Sequence, residues 1–271
     1  MEKIRLIALD IDGTLVDDEK RLPPANREAL EAAQAAGVRV AIASGRMTPR
    51  IESIEELLGI DCIIVAYNGA KVVTPRSEGR NTISHQPLPA DVANFFIGYS
   101  HDNGHLLNFY HDDVLYAQEG EDRRRFMEIY AGRTGAEYNV SADLERFRGQ
   151  QPTKLILLAD PAERDRLHDQ FCDEFGERAF ITKSDPEYLE IMAPGVHKGS
   201  GLATMAAHYG LTTDEVMGVG DAENDLGLLE EAGLGVAVAN ADPRVKAIAN
   251  EETQPTNNDA AVAEAIRRWV L

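Results

Sequence analysis

The feature that most constrains this chain is a short, mostly apolar run that stops at two carboxylates. Residues 4–9 lead into Asp10-Ile11-Asp12-Gly13-Thr14-Leu15. A short apolar run bounded by turn residues reads as a buried strand, and open α/β sheets carry their ligands at the carboxyl ends of strands. Alternate side chains of extended backbone share a face, so Asp10 and Asp12 project the same way. Two close carboxylates repel unless a cation lies beside them or one keeps its proton. Both situations have a chemical use. A cation lets one carboxylate attack a phosphoryl group, and a carboxyl with a raised pKa can donate and accept a proton. Gly13 permits a tight turn, and Thr14 brings a hydroxyl into it. Taken alone, the pattern also fits a strand ending in a capped, solvated acidic turn.

The flanking sequence repeats the arrangement. A polar stretch, 16–20, reads as a hairpin or loop, and Pro23 and Pro24 then open a helix through Ala29, Leu30, Ala33 and Ala36 that Gly37 closes. Residues 38–43 form a second buried strand that ends at Ser44-Gly45-Arg46. Ile51, Ile54, Leu57 and Leu58 recur at helical spacing over 49–58, and a third strand, 63–66, ends at Asn68-Gly69-Ala70. Strands alternating with helices predict an α/β fold, a Rossmann-like parallel sheet with helices on both faces.

From Thr82 the character changes. Phe and Tyr concentrate, and short strand patterns (106–110, 114–116, 154–159, 179–182, 188–192) mix with helical ones (121–130, 163–175), while 139–151 is polar and gives no clear pattern. The α/β alternation resumes after Ala193-Pro194-Gly195, with helices expected over 198–209, 226–231, 243–249 and 260–270 and strands over 215–219 and 233–239. The organisation expected is a discontinuous core, 1–81 and 191–271, with an α+β domain, 82–190, inserted as a cap.

Net charge narrows the partners. With 27 basic against 46 acidic residues the chain carries −19, which argues against nucleic acid or an anionic membrane as partner. An anionic substrate then needs a metal ion or basic side chains to reverse the local field. Two cysteines, Cys62 and Cys172, suit small residues in a reducing compartment better than a disulfide framework. No apolar run approaches the length of a membrane span, and no signal peptide is evident at the start. A cytoplasmic protein, monomer or homodimer, is expected.

Four strand ends therefore carry polar chemistry: Asp10 with Asp12, Ser44 with Gly45, the loop before Lys198, and Gly220-Asp221-Ala222-Glu223-Asn224-Asp225. In a parallel sheet they converge on one edge. The carboxylates suit Mg²⁺, a hard cation that prefers oxygen ligands. Ser44 and backbone N–H groups near Gly45 suit phosphate oxygens, Lys198 supplies a point charge, and Asn224 can donate to an anion. Together they match phosphoryl transfer, in which positioning and charge stabilisation dominate.

These segments, with Lys198 in Pro194-Gly195-Val196-His197-Lys198-Gly199, resemble the four motifs of the haloacid dehalogenase superfamily, in order. The long insertion, Asn68-Gly69-Ala70 and residues 235–241 resemble its Cof-type sugar-phosphatase branch. The resemblance implies that Asp10 attacks phosphorus to form an aspartyl-phosphate, and that Asp12 protonates the leaving alcohol and then deprotonates water. It implies Mg²⁺ on Asp10, the Asp12 carbonyl and Asp221, with Asp225 close behind. Phosphate and substrate fall to the Ile11 backbone, Thr14, Ser44, Gly45, Arg46, Lys198 and Asn224, and the cap is expected to close over the site and select the leaving group. Three positions depart from the pattern: Ser44 where Thr is commoner, Met47 where a smaller or polar residue is usual, and Ala260-Ala261 after Asn257-Asn258-Asp259 where Gly-Val is usual.

Plainer readings exist for several residues. Lys198 and Arg46 could be ordinary helix-start residues, although a cation is disfavoured at a helix N-terminus. Asp225 could simply favour the helix that follows it, Arg123-Arg124-Arg125 reads as a solvated face, and the seven histidines show no metal-ligand spacing. The function expected is a Mg²⁺-dependent phosphatase of small phosphorylated metabolites, sugar phosphates foremost. A phosphomutase on the same core and a non-catalytic sugar-phosphate sensor are the alternatives.

Overall fold

The computed structural model describes residues 3–271, which divide into two compact units. One runs to His85 and resumes at His197–Leu271, and the other is Gln86–Val196. The first begins with β1 (Leu6–Leu9), α1 (Pro24–Ala35), β2 (Arg39–Ala43), α2 (Thr48–Leu58) and β3 (Ile63–Ala66), followed by β4 (Lys71–Val73) and β5 (Thr82–His85). The second holds α3 (Ala90–Asn103), β6 (Leu106–His111), β7 (Val114–Gln118), α4 (Glu121–Thr134), β8 (Asn139–Ser141), β9 (Lys154–Leu158), α5 (Pro161–Phe175), β10 (Phe180–Asp185) and β11 (Tyr188–Met192). The chain then completes the first unit with α6 (Lys198–His208), β12 (Val216–Gly220), α7 (Leu226–Glu231), β13 (Leu234–Ala237), α8 (Pro243–Ile248), β14 (Glu251–Glu252) and α9 (Ala261–Trp269).

The first unit is an eight-stranded sheet in the order β14-β13-β12-β1-β2-β3-β4-β5. From β14 to β3 all pairings are parallel. Every residue of β1, β3, β12 and β13 is buried, which is possible only where helices cover both faces of the sheet. Among them α1 packs on α9 and α6 on α7. Each fully buried Leu or Ile removes enough apolar surface from water to contribute roughly 2 kcal/mol, so β1 is fixed by its neighbours on both faces.

At one edge the sheet departs from the parallel expectation. β4 and β5 are antiparallel to their neighbours. The sequence reading passed over β4 because a three-residue strand is too short to show periodicity. β5 draws 82–85 into this sheet, so the second unit starts at Gln86 where the sequence suggested Thr82, and it ends at Val196 where the sequence suggested Glu190, a boundary that cut through the strand 188–192 which pairs within this unit.

The second unit is a six-stranded sheet, β10-β11-β9-β6-β7-β8, antiparallel except for β7 with β8. Its core is the aromatic cluster foreshadowed by composition. Phe96 and Phe171, from α3 and α5, meet edge to face with centroids 5.0 Å apart, and Phe109, Leu155, Leu157 and Ile191 of the sheet are buried in the same cluster. The polar stretch 139–151 holds β8 and a 3₁₀ turn, Glu145–Phe147, which packs Phe147 on Phe109. No helix among the described residues is long and apolar enough to cross a membrane.

Candidate active site

β1 lies between β2 and β12, and the register pairs Leu9 with Ile42 on one side and Val219 on the other. Asp10, Ser44 and Asp221 therefore leave the sheet together at its carboxyl edge. Lys198 arrives from another direction, as the first residue of α6. The side chain of His197 caps that helix by accepting the Ser200 N–H, and Ser200 Oγ accepts the His197 N–H at 3.2 Å.

These groups build a dry floor. Lys198 Nζ lies 2.5 Å from Asp10 Oδ1 and 2.6 Å from Asp225 Oδ1, and the side chains of Lys198 and Asp225 are 0% exposed. The other oxygen of Asp225 accepts the N–H groups of Asp221 and Ala222, both at 3.0 Å. Asp225 thus orders its own loop and holds Lys198. Thr14, grouped by sequence with the substrate-binding residues, instead donates its hydroxyl to Asp221 Oδ1 at 2.7 Å, tying the first motif to the fourth. Gly13, at φ +82, lies so close to Asp221 that a Cβ there would come within 2.4 Å of Oδ2, so only glycine fits. Three asparagine amides hold the following loop by its carbonyls: Asn240 to Gly13 at 2.7 Å, Asn26 to Leu15 at 2.9 Å and Asn257 to Val16 at 3.1 Å.

The floor carries excess negative charge. Asp10, Asp221 and Asp225 each offer an oxygen within 4.8 Å of the others, against the single ammonium of Lys198. Burial pushes Asp10 up to about 7, with the charges of Asp225 and Asp221 adding to it and Lys198 opposing. Burial likewise pushes Asp221 up to about 6, the Thr14 hydrogen bond opposing and Asp225 adding. Burial would pull the Lys198 ammonium down, but Asp10 and Asp225 outweigh it and hold the proton more firmly than usual. Clustered oxygen donors with surplus charge are the chemistry of a hard divalent cation site.

The rim is built differently. Asp12, its side chain 37% exposed, accepts Lys20 Nζ on Oδ1 at 2.8 Å, and Arg46 Nε and Nη2 on Oδ2 at 3.1 and 2.6 Å. Partial burial would raise this carboxyl, yet the hydrogen bonds and charges of Lys20 and Arg46 hold it below the usual carboxylate range. Arg46, expected at the substrate, is committed here to Asp12. Ser44 is buried on the floor, and its Oγ accepts the Arg46 N–H at 3.3 Å. Ile11 is buried, and its carbonyl accepts the N–H of Leu15 at 3.0 Å and of Val16 at 3.1 Å. Asn224 donates to Asn68 Oδ1 at 3.3 Å, and Gly45 abuts that same Asn68 amide. Sequence reasoning missed Lys20, which sits in a polar loop with no motif. It also gave no site role to Asn68, which it noted only as the end of the third strand and as part of the Cof-type resemblance.

A family model described as haloacid dehalogenase-like hydrolase matches residues 7–266. The chain is 30% identical to the 5-amino-6-(5-phospho-D-ribitylamino)uracil phosphatase of Bacillus subtilis, over 99% of this chain and 96% of that protein. It is 29% identical to the HMP-PP phosphatase of Cronobacter sakazakii, over 90% of this chain and 87% of that one. A crystal structure from Thermotoga maritima superposes with a TM-score of 0.87 at 32% identity, covering 98% of this chain and 97% of the other. The fold and the strand-end site thus define a hydrolase with a Rossmann-like core and an inserted α+β domain. The chain belongs to the haloacid dehalogenase-like hydrolases, where it groups with phosphatases.

Proposed function

We propose that the chain is a Mg²⁺-dependent phosphatase of small phosphorylated metabolites, sugar phosphates foremost, working through an aspartyl-phosphate at Asp10. The observation that carries this reading is the opposite treatment of two carboxylates two residues apart. Asp10 is buried against Lys198, and Asp12 is half-buried between Lys20 and Arg46. A nucleophile and a proton carrier need those two environments.

Asp10, Asp221 and the Asp12 carbonyl would hold the cation, with Asp225 behind them, and bound Mg²⁺ would neutralise charge so that a carboxylate can approach an anionic phosphoryl group. Lys198 holds Asp10 in place and gives its charge to the phosphate. Ser44, the backbone about Gly45 and Asn224 receive the remaining phosphate oxygens. An Asp10 oxygen bonds to phosphorus as the bond to the leaving oxygen breaks, and Asp12 gives that oxygen its proton. The dianionic phosphate beside Asp12 raises its proton affinity and so offsets the two cations that lower it. In the second half Asp12, again a carboxylate, takes a proton from water as the water oxygen bonds to phosphorus and Asp10 departs. Lys20 and Arg46 favour the carboxylate that this half requires.

A small substrate suits a chain of net charge −19, because the favourable field is confined to the site. The phosphorylated ribityl chain named for the Bacillus subtilis relative supports a polyol or sugar ester. Both cysteines are free thiols, which fits a reducing compartment such as the cytoplasm. The test is phosphate release from a panel of phosphorylated metabolites, with Mg²⁺ and with EDTA, for wild type and Asp10→Asn. Release that needs both Mg²⁺ and Asp10 is expected. Full release by Asp10→Asn, or interconversion of hexose 1- and 6-phosphates without free phosphate, would contradict the reading.

A further inference from the structure

Immediately after β3 the backbone takes an unusual course. Tyr67 and Asn68 are consecutive non-glycine residues in the left-handed region, at φ +51 and +54. Such backbone persists only where its surroundings over-determine it. Here the Asn68 N–H donates to the Ser44 carbonyl and the Tyr67 N–H to the Arg46 carbonyl, each at 3.0 Å, so the turn is bound to the chain on both sides of Gly45. The strain has a specific product. It sets the buried Asn68 amide against Gly45, where a Cβ would come within 3.0 Å of Oδ1, and that oxygen accepts Asn224 Nδ2 at 3.3 Å.

We propose that Asn68 is a positioning residue for phosphate: by accepting one hydrogen of the Asn224 amide, it turns the NH₂ end of that amide to the anion and keeps the carbonyl end away. The inference rests on the phosphatase reading and extends its phosphate cradle to the end of β3. A primary amide has a donor end and an acceptor end that differ little in shape. Toward an anion one end attracts and the other repels, so an amide free to flip wastes part of its population. An acceptor at Asn68 Oδ1 satisfies one Nδ2 hydrogen and leaves the second for a phosphate oxygen. The strained turn fixes the acceptor itself through two backbone hydrogen bonds to the loop that carries Ser44 and Gly45.

Structure and function can be separated because the native backbone at this position favours glycine. Asn68→Gly deletes the amide while relieving the left-handed conformation, so its Tm should equal or exceed that of wild type. The probe is inorganic phosphate as a competitive inhibitor in the presence of Mg²⁺, together with KM. Asn224→Ala should raise the inhibition constant of phosphate about ten- to a hundredfold, the size expected for a lost hydrogen bond to a charged group, and Asn68→Gly should raise it about twofold, because the freed amide still presents its NH₂ end part of the time. The double variant should be no weaker than Asn224→Ala alone, because the two residues act through one amide. An unchanged constant in Asn68→Gly, or effects that multiply in the double variant, would overturn the inference while wild type remains an active, phosphate-inhibited enzyme. Wild type that neither releases phosphate from any ester nor responds to inorganic phosphate would overturn the phosphatase reading and this inference with it.

Discussion

The floor and the rim of the strand-end site solve opposite electrostatic problems with the same residue type. On the floor, Asp10 and Asp225 flank a buried Lys198 and share their space with Asp221, so burial and mutual repulsion make ionised carboxylates costly. At the rim, Asp12 stands partly in water between two cations and loses its proton more readily than usual. Position along the strand end, not residue type, sets the electrostatic environment of each carboxylate. One residue of backbone separates a side chain packed among carboxylates from one held half-buried between two cations.

Removing the cation of the floor should have the largest effect. Lys198→Met leaves Asp10 and Asp225 buried without their partner and should destabilise the protein by about 3–5 kcal/mol in denaturant unfolding. It should also all but abolish phosphate release. A loss below about 1 kcal/mol would place Lys198 in the class of exposed ion pairs and deny that the floor is dry.

The two regions should also respond to pH with opposite sign. Asp10, at about 7, and Asp221, at about 6, bind protons more tightly folded than unfolded. Their contribution to stability is full below the unfolded value near 4 and is lost as pH rises through 6 and 7. Asp12 is lowered, so its contribution is present above the unfolded value and lost as pH falls through its folded one. In EDTA, Tm should therefore decline from pH 5 to pH 8, and Asp10→Asn should flatten the decline. Mg²⁺, which needs the ionised carboxylates, should stabilise most at the upper end of that range. A Tm that rises with pH across the same interval in EDTA would contradict the account of the floor.

Changes at the rim should be milder for stability. Lys20→Ala breaks an exposed pair and Arg46→Ala a partly solvated one, and each should cost about 1 kcal/mol or less. Both remove a cation from Asp12, so a kinetic pH limb that belongs to Asp12 should move to higher pH in each variant, and unmoved limbs would show that the pairs do not tune it. The smallest effect is expected at a backbone position outside the floor and the rim. Ala260 holds a left-handed conformation, φ +64, at the position where the Cof-type pattern has glycine. Ala260→Gly should raise stability by about 0.5–1 kcal/mol without altering phosphate release.

The floor was largely legible in the sequence because strand-end residues of a parallel sheet must converge. Asp10, Ser44, Lys198, Asp221 and Asn224 each follow an apolar run or open a helix, and the register of β1 with β2 and β12 brings their segments to one edge. The rim was not legible. Lys20 reaches Asp12 from a turn in which the Lys20 N–H donates to the Asp17 carbonyl at 2.9 Å, and nothing in a polar loop announces where its side chain goes. Arg46 and Thr14 were grouped with substrate because sequence order shows proximity to the site but not which partner wins. Asp12 captures one and Asp221 the other. The antiparallel β4 and β5 escaped for another reason. Short edge strands are specified by the hydrogen bonds they complete more than by periodicity, and the asparagines that hold the loop after Asp10 act across distances in sequence that no local pattern spans.

On the proposed mechanism the buried Asp10 attacks phosphorus and the half-buried Asp12 moves the protons. The most direct measurement is a rapid acid quench of enzyme mixed with ³²P-labelled substrate and Mg²⁺, followed by mapping of any acid-stable phosphoprotein, for wild type, Asp10→Asn and Asp12→Asn. The account predicts label on Asp10 in wild type, none in Asp10→Asn, and slowed formation and decay of the label in Asp12→Asn. Label that persists in Asp10→Asn, or turnover by wild type with no labelled protein at any quench time, would contradict it.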